Sequence, residues 1–393
     1  MKIRTCLNIA YNLTFLSLLF FASCNKEMQP PPLTAPNIQL DNENSTLQIM
    51  SDSFTHALLL MRTDIGLLET HYNSNTLSLY DNSIAAMVFC ISDNMEEARS
   101  IFDYFNDRLF SEFLSGSGGF FQFRDRNGQP YGNRWLGDNA WLLIALNNYQ
   151  NITGDNRYQT MQYSLGQWIR EQQDVDGGLW GGEDINGSVI GKVTEGMIDA
   201  FNAVKGYDNF HKGMLTYLAT TRWNENEMAP ISWPGNPYEY ALDNFSWGYC
   251  AFENMPTSIL DHAKELFYTT QWCEIARDSV SGYCFDIDKD VVWFEGSAQM
   301  AVALNKAGMT SDAQELLMDM LKAKSSVPDL PSVSGLPYAS NLATGYGSGL
   351  LWQGASTEPS VSSTCWFVMA CKNFDPMQLQ YTKQIPIEDQ FWL

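Results

Sequence analysis

Positive charge is scarce in this sequence. Its 23 Lys and Arg face 45 Asp and Glu, leaving a formal charge of −22 over 393 residues. That balance argues against nucleic acid and anionic membrane surfaces as partners, because both are held through basic patches. It argues more weakly against polyanionic polysaccharides. Histidine is almost missing, at four residues (His56, His71, His211 and His262), and the eight Cys include no C-x-x-C pair. A zinc site is therefore not expected. No G-x-S-x-G occurs, and Ser–His–Asp chemistry has no plausible His. "GSGGF" (116–120) and "GYGSG" (345–349) lack the following Lys of a phosphate loop. "DVDGG" (174–178) and "DIDKD" (286–290) lack the glycine and distal Glu of an EF-hand loop and read as solvated turns. No cofactor and no metal is expected. Cys90, Cys250, Cys365 and Cys371 sit in apolar helical contexts, where Cys acts as a small hydrophobe, although an exported chain can pair some thiols.

What is plentiful is aromatic: 12 Trp, 18 Tyr and 22 Phe, within a hydrophobic share of 45%. Sugar rings stack on such side chains and carboxylates accept hydroxyl hydrogen bonds, so a neutral oligo- or polysaccharide fits this composition. Apolar character is concentrated once, near the N-terminus. Lys2 and Arg4 precede "LTFLSLLFF" (13–21) and the small residues "ASC" (22–24). The run is too short for a confident membrane span. "FFASC" resembles a bacterial lipobox, which implies lipidation of Cys24 after cleavage. The expected organisation is a signal peptide over 1–23, a Pro- and Asn-rich tether over 24–45, and one domain over 46–393. The resemblance implies a place in the bacterial cell envelope, touching the membrane only through its lipid, and a monomer is expected.

The domain is internally repeated. Six apolar segments open with an acid: "YDNSIAAMVF" (80–89), "GDNAWLLIAL" (137–146), "TEGMIDAFNAV" (194–204), "LDNFSWGYCAF" (242–252), "FEGSAQMAVAL" (294–304) and "EPSVSSTCWFVMA" (358–370). Their acids, Asp81, Asp138, Glu195, Asp243, Glu295 and Glu358, recur every 48 to 63 residues. An amphipathic helix precedes each, over 47–69, 94–110, 157–173, 211–223, 258–278 and 311–324, with apolar residues at i, i+3, i+4 and i+7. Twelve helices alternating half-exposed and buried predict an all-α fold, an (α/α)6 toroid of six helical hairpins with the apolar helices inside. The inner helices of such a toroid start at one end, so the acids belong at one mouth. The loops entering that mouth are long and aromatic, which marks them as functional.

This organisation resembles the six-hairpin glycosidase superfamily. "TEGMIDAF" is similar to a T-E-H-N-x-D-A-aromatic segment of some bacterial members, with Gly196 and Met197 in place of the His and Asn. The resemblance implies a glycoside hydrolase, mostly inverting, in which one carboxyl protonates the leaving group and another activates water. Crowding and burial at the mouth would push the two pKa values apart. Glu195 is the expected general acid, because Thr194 can cap its helix. Asp138 or Glu295 is the expected base, Glu295 with Gly296 beside it to allow close approach, and Asp243 follows. Asp199 faces Glu195 one turn deeper. Asp81, Trp135, Trp180, Trp233, Trp247, Trp293, Tyr338 and Trp352 are candidate substrate contacts, with Tyr131 and Tyr238 in the same loops.

Each acid also has a plain structural explanation, since Asp and Glu cap helix N-termini. Three other functions remain open. A polysaccharide lyase or uronate epimerase would need Arg124 or Arg134 facing the cleft, although those residues and Arg126 can equally pair with the surplus acids. A non-catalytic glycan-binding lipoprotein would show its carboxylates capped or paired. A protein-binding scaffold is the third.

Overall fold

The computed structural model describes residues 38–233, 239–327, 330–342, 358–379 and 383–393. The leader, Cys24, most of the tether, Tyr238, Trp352 and the 345–349 glycine run lie outside the described residues. Twelve α-helices occur among the described residues: α1 (Ile38–Leu60), α2 (Leu79–Ile91), α3 (Met95–Asn106), α4 (Leu136–Thr153), α5 (Gln159–Glu171), α6 (Thr194–Ala203), α7 (Asn209–Thr221), α8 (Leu242–Ala251), α9 (Ser258–Phe267), α10 (Phe294–Lys306), α11 (Thr310–Met320) and α12 (Val361–Cys371). No described helix is long and apolar enough to cross a membrane.

The even-numbered helices form a closed ring. Each packs on the next, from α2 through α4, α6, α8 and α10 to α12, and α12 returns to α2. Helices α3, α5, α7, α9 and α11 pack outside α2, α4, α6, α8 and α10. Helix α1 covers α12, where Phe54 meets Phe367 edge to face at 5.3 Å. This is the (α/α)6 toroid of six hairpins. Its cause is visible in burial: ten of the eleven residues in α12 are buried, whereas α3 and α9 bury only one face. A helix apolar all round has no stable place except the centre.

Three boundaries differ from the sequence reading. Helix α1, expected over 47–69, begins at Ile38, inside the stretch read as tether, and already ends at Leu60. The amphipathic segment 258–278 is helical only to Phe267; Tyr268–Cys273 then pairs antiparallel with Asp278–Tyr283. In "YTTQWC" exposed and half-buried residues alternate with the two-residue period of a strand, led by Tyr268, Thr270 and Trp272 outside. Glu358 precedes the sixth inner helix instead of opening it; α12 starts at Val361 and is capped by Ser360, whose Oγ accepts from the Ser363 N–H at 3.2 Å.

The six cysteines within the described residues are free thiols, and all but Cys371 are buried.

Candidate functional site

Five inner helices place an acid in their first turn: Asp81, Asp138, Glu195, Asp243 and Glu295. All five, with Asp199 and Glu358, line one cavity of about 530 Å³ at the mouth of the ring. The five acids and Asp199 are between 2% and 9% exposed. None occupies an N-cap position. Ser78 caps α2, and α4, α6, α8 and α10 have no capping side chain. Thr194 does not cap α6 either; it is the first helical residue, and its hydroxyl donates to the Ile231 carbonyl at 2.6 Å. The carboxylates therefore point inward.

A helix N-terminus favours a carboxylate by about 0.3–2 kcal/mol. Desolvation opposes it with an effective cost of several kcal/mol per ion, and desolvation wins throughout the site. Burial pushes Asp138 up to about 7, against a pull back by the Gln122 amide. Burial also pushes Glu295 up to about 7, opposed by hydrogen bonds from Tyr80, Ser362 and Gln299. Glu195 is raised by burial, offset by its own backbone N–H, Ser232 and Asn244. Asp243 is raised well above the usual range by burial and by the charges of Glu195 and Glu295. Asp199 is raised likewise by burial, Asp243, Glu195 and Asp138, and Asp81 by burial, Glu295 and Asp138.

The carboxyls differ in how they are held. Tyr80 donates to Glu295 Oε1 at 2.6 Å and Gln299 donates to the same oxygen at 3.2 Å. The Trp366 indole in turn donates to the Tyr80 oxygen at 2.7 Å. Glu195 Oε1 accepts from Asn244 at 3.2 Å, while its Oε2 has no hydrogen-bond partner. Asp138 Oδ2, Asp199 Oδ1, Asp243 Oδ1 and Glu295 Oε2 are likewise buried without partners. Buried polar atoms are rarely left so. Five in one cavity leave room for water or a polar ligand to satisfy them.

Trp135, Trp247, Trp293 and Tyr338 line the cavity. Trp180 and Trp233 do not belong to its lining: Trp180 is 37% exposed with the Lys192 ammonium 4.5 Å from its ring centre, and Trp233 packs by Gly191. Tyr131 is also outside and donates to Thr76. Sequence reasoning missed Trp141, which lines the cavity from α4 and meets Tyr80, Trp247 and Trp366 edge to face at 5.3–5.6 Å. Its signal was its spacing. Trp141 stands three residues after Asp138, as Trp247 stands four after Asp243, so each lies one turn below an acid on the same helix face. Gly296 serves this wall rather than an incoming ligand: a Cβ there would fall 2.1 Å from the Trp293 ring.

The Asp-Asn pairs divide their labour. Asn82 accepts from the Leu68 N–H at 2.8 Å and donates to the Leu68 carbonyl at 3.0 Å. Asn139 does the same with Phe120, at 2.9 and 3.0 Å, and also reaches the Trp135 carbonyl at 2.8 Å. The acid faces the cavity and the Asn clips the incoming loop. Removing the Asn139 amide strands the Phe120 N–H and carbonyl. Asn139→Ala is expected to cost about 2–4 kcal/mol in chemical denaturation and to weaken ligand binding through Trp135.

The arginines near the second inner helix face elsewhere. Arg124 pairs with Glu112 at 3.2 Å, fully buried. Arg126 chelates Glu69 at 2.8 Å. Arg134 donates to the carbonyls of Glu112, Gly118 and Gly119. Among the described residues the cavity lining contains no Lys or Arg, and its one histidine, His71, sits 3.1 Å from Glu358 at the rim. Of the two acidic turns, Asp174 and Asp176 are tied by Lys192 at 2.7 Å each. The other, 286–290, is not a solvated turn, since Asp286 is fully buried.

The toroid is shared with solved sugar-processing proteins. A wild-type glycosidase matches with a TM-score of 0.60 at 12% identity, over 86% of this chain and 99% of that one. Cellobiose 2-epimerase from Bacillus thermoamylovorans matches with a TM-score of 0.58 at 10% identity, over 83% and 98%. A D-mannose isomerase matches with a TM-score of 0.53 at 12% identity, over 86% and 98%. At such identities the likeness establishes the six-hairpin fold. No family profile matches the sequence, and no curated protein sequence does.

Proposed function

We propose that the chain is a carbohydrate-active enzyme that hydrolyses a glycosidic bond in an uncharged oligosaccharide. The observation that carries this reading is the single cavity in which five inner helices present buried, partly unsatisfied carboxyls against indole walls. Glu195 is the general acid: burial favours its protonated form, and one oxygen is left to face a leaving group. Glu295 is the base, because Tyr80 and Gln299 donate to it and so favour its ionised form. Inversion requires a water between base and sugar, with carboxyls about 6.5–9.5 Å apart. Asp138, Asp199, Asp243 and Asp81 would accept sugar hydroxyls. The solved neighbours, one of them a glycosidase variant in complex with glucose, support a sugar ligand. The test is a panel of neutral and uronic oligosaccharides, assayed in parallel for new reducing ends and for binding. Turnover confined to neutral glycans is expected; binding without turnover across the panel would leave a glycan-binding protein.

The arrangement does not favour a lyase or uronate epimerase, since Arg124, Arg126 and Arg134 are engaged away from the cavity. The His71–Glu358 pair at the rim does favour a second reading, epimerisation or isomerisation of a reducing sugar with His71 as base. Solvent deuterium entering a recovered monosaccharide, and lost in His71→Asn, would establish it in place of hydrolysis.

The chain is also proposed to be lipid-anchored in the cell envelope through Cys24. The support is the charged, apolar and small-residue order of residues 2–24. Labelling with a fatty-acid probe, abolished in Cys24→Ser, is the expected result.

A further inference from the structure

The segment joining the Asp278–Tyr283 strand to α10 carries Cys284, Asp286, Asp288 and Asp290, every second residue a donor. Three carboxylate oxygens converge on one sulfur. Cys284 Sγ lies 3.9 Å from Asp286 Oδ1, 3.7 Å from Asp288 Oδ1 and 3.9 Å from Asp290 Oδ1. A thiol has one proton and cannot serve three acceptors. Donor atoms of Cys284, Asp288 and Asp290 all fall within 4.8 Å of one another. Asp286 is 0% exposed, and its second oxygen, Oδ2, has no hydrogen-bond partner. Lys289 within the run turns away, its ammonium bonding the Glu265 carbonyl at 2.7 Å.

The spacing has a chemical meaning. An ion with metal–sulfur and metal–oxygen bonds of about 2.3 and 2.1 Å in tetrahedral geometry sets its sulfur and oxygen ligands about 3.6 Å apart. The observed 3.7–3.9 Å lies slightly outside that edge, close enough for an ion to draw the ligands in. Calcium would not use the sulfur, because hard cations take oxygen ligands.

We propose that Cys284, Asp288 and Asp290, with Asp286 buried beside them, bind one divalent transition-metal ion of intermediate softness, zinc being the reference case. None of the three ligands lines the cavity, so the site is structural. It clamps the segment that delivers Phe285 and Trp293 to the cavity wall and Glu295 to the first turn of α10. It is independent of the hydrolase reading.

The experiment is titration of the chelator-treated full chain with Co2+, then with Zn2+. One equivalent of Co2+ is expected to produce a thiolate-to-cobalt charge-transfer band, which Zn2+ removes. Zinc at a hundredfold excess over its Kd is expected to raise Tm by about 3–4 °C. Cys284→Ser is expected to abolish the band, and Asp288→Asn to weaken binding by more than about 100-fold, while Cys371→Ser changes neither. If Cys284→Ser does not fold, Asp288→Asn carries the test, because its side chain is exposed. Absence of the band in the parent chain, or equal affinity in Asp288→Asn, overturns the proposal.

Discussion

Glu195→Gln is expected to lower kcat on an unactivated oligosaccharide by about 10³-fold while leaving binding in place. The effect should depend on the leaving group. An aryl glycoside whose phenolate departs without a proton does not need the acid, and there the loss should shrink to about tenfold or less. Glu295→Gln removes the base instead and should depress both substrates alike, by about 10²–10⁴-fold. The two variants thus separate by substrate, which a merely structural role for Glu195 would not produce. Equal losses in Glu195→Gln on both substrates would reassign the acid, with Asp138, pushed up to about 7 and with one oxygen unpartnered, next in line.

The same assignment fixes a pH profile. Glu295 is raised by burial to about 7. A base must be ionised, so kcat/KM should fall as pH drops through about 7, and Glu295→Gln should lose that acidic limb. The alkaline limb should follow Glu195, whose pKa is raised by burial. Because Glu195, Asp199 and Asp243 feel one another's charge, the limbs report the group rather than single residues.

Much of this was legible before the fold was seen, and for a definite reason. Inner and outer helices differ in hydrophobic period, and repetition every 48 to 63 residues leaves one closed arrangement. The acids followed, because the helix start fixes which end of the ring a first-turn residue occupies. What was not legible depends on side-chain direction across loops. Trp135 and Trp180 stand in comparable aromatic loops, yet only Trp135 reaches the cavity. The destination of Arg124 depends on Glu112, twelve residues back in an irregular π turn over Leu109–Phe113. Glu358 matched the pattern of acids, but Ser360 outcompetes it as the cap of α12. The run 286–290 has the composition of a solvated turn, and only tertiary packing buries Asp286.

Burying so many carboxyls without cations reverses the usual dependence of stability on pH. A carboxyl whose folded pKa lies above its unfolded value stabilises the fold fully below the unfolded pKa, and that contribution is lost as pH rises through the folded pKa. Asp138, moving from 3.8 to about 7, alone accounts for roughly 4 kcal/mol over that window. Asp81, Asp199 and Asp243 are shifted in the same direction. Tm is therefore expected to fall steadily between about pH 5 and pH 8. Mutual repulsion of surface acids acts in the same sense, but salt screens it, whereas buried groups are screened much less. Asp199 separates the causes. It is buried, its shift arises from burial and from Asp243, Glu195 and Asp138, and no role in proton transfer is assigned to it. Asp199→Asn keeps the shape and removes the charge. It should raise Tm at pH 8 by about 2–4 °C, change it little at pH 4.5, and persist in 0.5 M salt. Equal destabilisation at both pH values would mean that Asp199 is ionised and satisfied in the folded chain. The stabilised variant is also expected to bind sugar more weakly, since the unpartnered carboxyl that strains the fold is one of those held for the ligand.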